Sequence, residues 1–121
     1  MIVARNVDVE HRAMRTVEGL PFQGEVRMKP LIQGDQMIML EIHYPPGASS
    51  PLHKHQHESL CYVVKGTVKV VVGEETYILG AGDACRHPKG VPHSIEGVED
   101  ATIVETKSPA QPLEQFLGAA Q

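Results

Sequence analysis

Three of the seven histidines in this 121-residue chain alternate within residues 51–66 (PLHKHQHESLCYVVKG), as His53, His55 and His57. In an extended segment, residues two apart face the same way, about 6–7 Å apart along the chain. Two imidazoles at that spacing can converge on one metal ion, which neutral imidazole binds well. The plainer reading is a solvated polar loop that binds nothing. Against it, an apolar run over residues 60–64 follows directly, so the segment is expected to enter a buried sheet. A further donor must come from elsewhere, and His93 in GVPHS is the candidate. Ligating imidazoles must be neutral, so acid is expected to release the ion as pH falls through the histidine range.

The elements that must position these residues are short and evenly spaced. Strands are expected over residues 25–32, 36–44, 67–72, 76–79, 84–87 and 101–107, beside the histidine strand itself. Pro45-Pro46-Gly47, Lys65-Gly66, Gly73-Glu74-Glu75, Gly80-Ala81-Gly82-Asp83 and Pro88-Lys89-Gly90 separate them. Proline cannot donate to a ladder and glycine opens backbone space, so these breaks read as turns. Regular short strands joined by glycine-bearing turns point to an all-β sandwich or barrel. Residues 1–24 read as an arm or edge strand, about 36–107 as the strand-bearing core and 108–121 as a tail, helical over 113–120.

Composition narrows the function. The length suits one domain, and with 41% apolar but only 4% aromatic residues its core must be aliphatic. A formal charge of −4 without a basic run argues against nucleic acid as a partner. No apolar window approaches a membrane span and the N-terminus has no signal-peptide pattern, so the cytoplasm is the expected compartment. Two cysteines, Cys61 and Cys85, are too few for a disulfide framework and suit a reducing environment.

Two spaced motifs carry a family resemblance. Gly47-x5-His53-x-His55, then Ser59 after three residues and Gly66 after six more, resembles the first cupin motif. Gly82-x5-Pro88-x-Gly90-x2-His93 resembles the second, with Gly97 where the family usually has asparagine. The resemblance implies a small single cupin domain: a double-stranded β-helix, or jelly-roll barrel, whose mouth holds a divalent metal. It also implies dimerisation through the sheets. Residue by residue it makes His53, His55 and His93 the metal ligands and puts Ser59 where the family has glutamate or glutamine. A serine hydroxyl is a poor ligand beside carboxylate or imidazole. Glu58 cannot replace it, because one residue of slip turns a side chain to the other face.

Other residues have two readings each. His57 shares the parity of His53 and His55, as a fourth ligand, a supporting donor or a residue turned away. Cys61 shares it too and either lines the cavity or is inertly buried. Of the neighbours Arg86 and His87 one should face inward, and an inward Arg86 would anchor a substrate carboxylate. Tyr62 has the opposite parity and suits sheet packing, and His43 is either a supporting group or exposed. Iron, manganese, nickel, cobalt and zinc all fit such a ligand set. The functional expectation is a metal-dependent enzyme acting on a small oxygen-rich anion, of dioxygenase or isomerase and lyase type. Its rivals are a metal- or sugar-binding module without turnover and a remnant that has lost its metal.

Overall fold

A computed structural model describes residues 1–110, so the helix expected over 113–120 lies outside them. Among the described residues, eleven strands follow a single 3-10 turn at Asn6–Asp8. They are β1 (Arg12–Ala13), β2 (Thr16–Val17), β3 (Leu20–Pro21), β4 (Arg27–Gln33), β5 (Ile38–Tyr44) and β6 (Glu58–Lys65), then β7 (Thr67–Val72), β8 (Glu75–Gly80), β9 (Ala84–His87), β10 (His93–Gly97) and β11 (Ala101–Ser108). One sheet has the order β1-β4-β5-β11-β6-β9, the other β10-β7-β8, and every pairing is antiparallel. Inward residues of both sheets, including Met28, Leu40, Ile42, Val63, Val68, Val70, Ile95 and Ile103, share one aliphatic core. This is the expected jelly roll. Among the described residues no helix is long and apolar enough to cross a membrane.

Period-two alternation decides what each strand contributes. β11 buries Ala101, Ile103, Glu105 and Lys107 in turn, running from the apolar core to a polar end of the barrel. β6 runs the opposite way and buries Ser59, Cys61 and Val63, leaving Leu60, Tyr62 and Val64 on the outer face. Only half of the apolar run that follows the histidines is therefore buried. Register places Lys107 beside Ser59 and Ser59 beside His87 in one row across the sheet. The next row holds Glu105, Cys61 and Cys85.

Two expectations change. The histidine segment precedes β6 and is not itself a strand; His53 joins the framework through a two-way backbone bridge to His93. β10 was not expected, because Pro92 before it and Gly97 at its end disguise five residues that pair with β7. Gly97 itself has a steric reason. A Cβ there would lie 2.5 Å from the carbonyl oxygen of Pro45, so asparagine has no room.

The N-terminal arm is more ordered than an edge strand. β1 extends the large sheet, and β2 and β3 form a separate hairpin with Glu18 and Gly19 at its tip. Both tip residues are left-handed, at φ 49° and 78°, the conformation of a two-residue turn that matches strand twist. Glycine adopts it freely, whereas Glu18 carries a strain of about 1 kcal/mol or more.

Candidate metal centre

The polar end of the barrel gathers His53, His55 and His93, which offer donor atoms all within 4.8 Å of one another. The backbone bridge brings His53 against His93, with ring centroids 4.4 Å apart, and His55 lies 4.5 Å from His53. Each ring has one nitrogen already engaged with an acceptor. Nδ1 of His53 donates to the Pro51 carbonyl at 2.6 Å, and Nδ1 of His93 to the Val91 carbonyl at 3.0 Å. Nδ1 of His55 donates to the Glu18 carboxylate at 2.8 Å. An acceptor on Nδ1 fixes the proton there and leaves Nε2 as a bare lone pair. Three such lone pairs in one place suit a divalent metal with open positions.

Burial keeps these imidazoles neutral. It pushes His55 down to about 2, with Lys107 and the neighbouring histidines adding to the effect. It lowers His93 to about 3, helped by His87, and lowers His53 as well. Acid release through the ordinary histidine range therefore does not follow for the folded protein.

The remaining candidates fall to either side of the barrel wall. His57 is buried but lies outside the convergent group; its ring stacks on His55 at 4.3 Å and 17°, so their lone pairs lie in near-parallel planes. Ser59 is buried and its hydroxyl accepts from Lys107 Nζ at 3.1 Å. Cys61 faces inward, and its thiol donates to Glu105 at 3.2 Å. His87 is only 1% exposed and stacks on His93 at 4.1 Å. Arg86 corrects an expectation. Its side chain is 62% exposed and pairs with Glu58 at 3.8 Å on the outer face, away from the cavity. His43 likewise belongs to a separate contact, a hydrogen bond with Asp100 at 2.8 Å.

Sequence reasoning missed three residues. Glu105 and Lys107 lie inside the barrel, 3.4 Å apart, and Glu105 also meets His87 at 3.4 Å. Burial alone would raise the Glu105 carboxyl, but Lys107 and His87 outweigh it and hold the acid ionised. Burial would lower His87, yet Cys85 and Glu105 raise it to about 9. The buried charges thus compensate one another, as buried ions must. The signal was in β11: if Ile103 faces the core, Glu105 and Lys107 share its face. Glu18 gave no such signal, because it reaches His55 from 37 residues away.

The space between these groups is small. A cavity of about 20 Å³ lies among His53, His55, His87, His93, Glu105 and Lys107. That volume holds about one water or one ion. Met14, Val17 and Phe22 from the N-terminal arm line the same cavity.

A jelly roll with a histidine cluster at its polar end defines a class, the barrel proteins that hold a small ligand or metal inside a sheet sandwich. The chain belongs to the cupin family: residues 40–106 match the model of the cupin domain. It is 31% identical over 86 residues to the pectin degradation protein KdgF of Dickeya dadantii, spanning 69% of this chain and 78% of that one. It is 29% identical over 108 residues to an oxalate-binding protein of Thermotoga maritima, spanning 84% and 88% respectively. Among solved structures, an RmlC-like cupin from Shewanella frigidimarina superposes with a TM-score of 0.80 at 22% identity, covering 92% of this chain and 93% of that one.

Proposed function

We propose that this protein holds a divalent transition metal on Nε2 of His53, His55 and His93 and acts on a small, oxygen-rich carboxylate. The reaction would be of dioxygenase or of isomerase and lyase type. The observation that carries the reading is the hydrogen bonding of the three rings, each with Nδ1 committed to an oxygen acceptor. Iron, manganese, nickel, cobalt or zinc on three neutral donors would supply Lewis-acid chemistry with its charge uncompensated by a protein carboxylate.

The chain's own groups do the rest. The family's glutamate is replaced by the pair Ser59 and Lys107, so the nearby group is a cation. Lys107 is placed to receive a substrate carboxylate, with Glu105 holding the ammonium in position. The arm residues Met14, Val17 and Phe22 exclude water once the substrate is in. With only about 20 Å³ open, the β2–β3 hairpin or other lining side chains must give way to admit anything larger than an ion. Names of relatives point to the same chemical class, since oxalate is a dicarboxylate and pectin a polymer of uronic acid.

The test is metal content by mass spectrometry, followed by binding of oxalate and of a uronate to the loaded protein. Lys107→Met is expected to keep the metal and weaken carboxylate binding about tenfold or more, the loss of one charge-assisted contact. Equal carboxylate binding by both proteins refutes the role of Lys107, and a metal-free wild type after loading refutes the site. A second reading, a module that binds without turnover, is favoured by the small size of the cavity. Recovery of every tested acid unchanged, with and without dioxygen, would select it.

A further inference from the structure

Behind the histidine triad lies a second set of donors with a different chemical character. Cys61 and Cys85 are direct cross-strand partners on β6 and β9. Their sulfurs and a ring nitrogen of His87 all lie within 4.8 Å of one another. Cys61 Sγ is 3.8 Å from Nδ1 of His87 and Cys85 Sγ is 3.7 Å from Nε2. Glu105 Oε1 stands 3.2 Å from the Cys61 sulfur and 3.4 Å from Nδ1 of His87.

We infer that Cys61, Cys85 and His87 form a second, thiophilic metal site, distinct from the triad and suited to zinc or another soft ion. Two sulfurs and one imidazole are a donor set that soft and borderline metals prefer, whereas three imidazoles without sulfur are less selective. Glu105 has the place of the carboxylate that commonly orients a ligating histidine. It faces Nδ1, so that nitrogen keeps its proton and Nε2, on the side of Cys85, is left for the ion. Donors around zinc sit about 3.5 Å apart when each bond is about 2.0–2.3 Å, so a trio within 4.8 Å closes by up to about 1.3 Å. The thiol protons and the Nε2 proton of His87, which its neighbours raise to about 9, leave to solvent as the metal binds.

Access does not depend on the barrel mouth. Cys85 is only partly buried and lines a separate pocket of about 300 Å³ with Val72, Tyr77, Leu79, Ala84 and Arg86. That pocket opens beside β7, β8 and β9, whereas the triad's cavity is lined by the N-terminal arm. An ion can therefore reach the Cys85 sulfur without passing the triad. Without an ion, the same side chains form a buried hydrogen-bonded network, which is the plain alternative.

Cobalt(II) titrated into reduced, metal-free protein separates the two. The expected result is two ions per chain and an ultraviolet sulfur-to-cobalt charge-transfer band that imidazole alone cannot give. Cys85→Ser should abolish the band and lower the stoichiometry to one, and at this partly buried position it is a mild substitution. His93→Ala should also lower the stoichiometry to one while keeping the band. If the wild type takes one ion with the band and is indifferent to His93→Ala, the sulfur site stands and the triad falls. Absence of the band from folded wild-type protein overturns the inference. So does an anaerobically prepared sample that has lost two hydrogens in mass and both free thiols, because Cys61 and Cys85 would then be joined to each other.

Discussion

Acidification from pH 7 to pH 5 is expected to cost the triad far less metal affinity than three ordinary imidazoles would lose, while the metal-free fold weakens. Three unperturbed imidazoles with a pKa of about 6.5 would each be protonated about 30-fold over neutral at pH 5, a combined penalty of about 6 kcal/mol. Here burial lowers His55 to about 2 and His93 to about 3, and it lowers His53 too. At pH 5 His55 and His93 are already neutral and only His53, itself lowered, can contribute, so affinity should fall by less than the roughly 25-fold that one unperturbed imidazole would cost. The cost moves to folding. Each depressed histidine binds protons in the unfolded chain first, so stability is intact above about 6.5 and declines as pH falls toward the folded value. At pH 5 the deficit is about 2 kcal/mol for each of His55, His93 and His57, the last lowered to about 4 mainly by burial. Competition with a chelator of known proton uptake measures the affinity, and urea titration followed by circular dichroism measures the stability. A protein that stays folded yet loses about a thousandfold in affinity over this range would refute the reasoning.

Substitutions at three further positions probe the neighbours. Ser59→Glu sets a carboxylate against the Lys107 ammonium, so carboxylate binding should drop about tenfold or more while the melting temperature holds; undiminished binding would show that Lys107 does not serve the ligand. Glu18→Ala should weaken metal binding by about 10–100-fold, as loss of a histidine's supporting carboxylate does, whereas Glu18→Gln keeps an acceptor and should lose less; equal affinities in all three proteins would count against the clasp on His55. His57→Ala removes a stacked ring outside the donor group, so affinity should change by less than about tenfold, and loss of the metal would make His57 a ligand.

What the sequence made legible is what alternation and turn chemistry encode. β5, β7, β9 and β11 were readable because their β-branched or alternating residues sit between proline and glycine breaks. The gathering of His53, His55 and His93 was readable from motif spacing, although strand parity was the wrong reason. The histidine segment is a loop pinned by one bridge, and convergence comes from that bridge. β10 was hidden because its residues include a histidine, a serine, a glutamate and a glycine, held by pairing with β7 and not by propensity. Arg86 and His87 were ambiguous until register fixed His87 opposite Ser59, which sends Arg86 outward. Glu18 needed a tertiary contact that no local pattern predicts.

The hairpin that carries Glu18 has a consequence for time as well as for structure. Its tip is tied to His55, and the arm residues beside it line the space in which an ion would sit. Where an ion's exit waits on that hairpin, its departure would be first order and indifferent to how much chelator waits outside. Dialysis would then strip the protein slowly even where binding is modest. The metal found after purification would record what was available when the hairpin last opened, and long equilibration would be needed before it reflects preference.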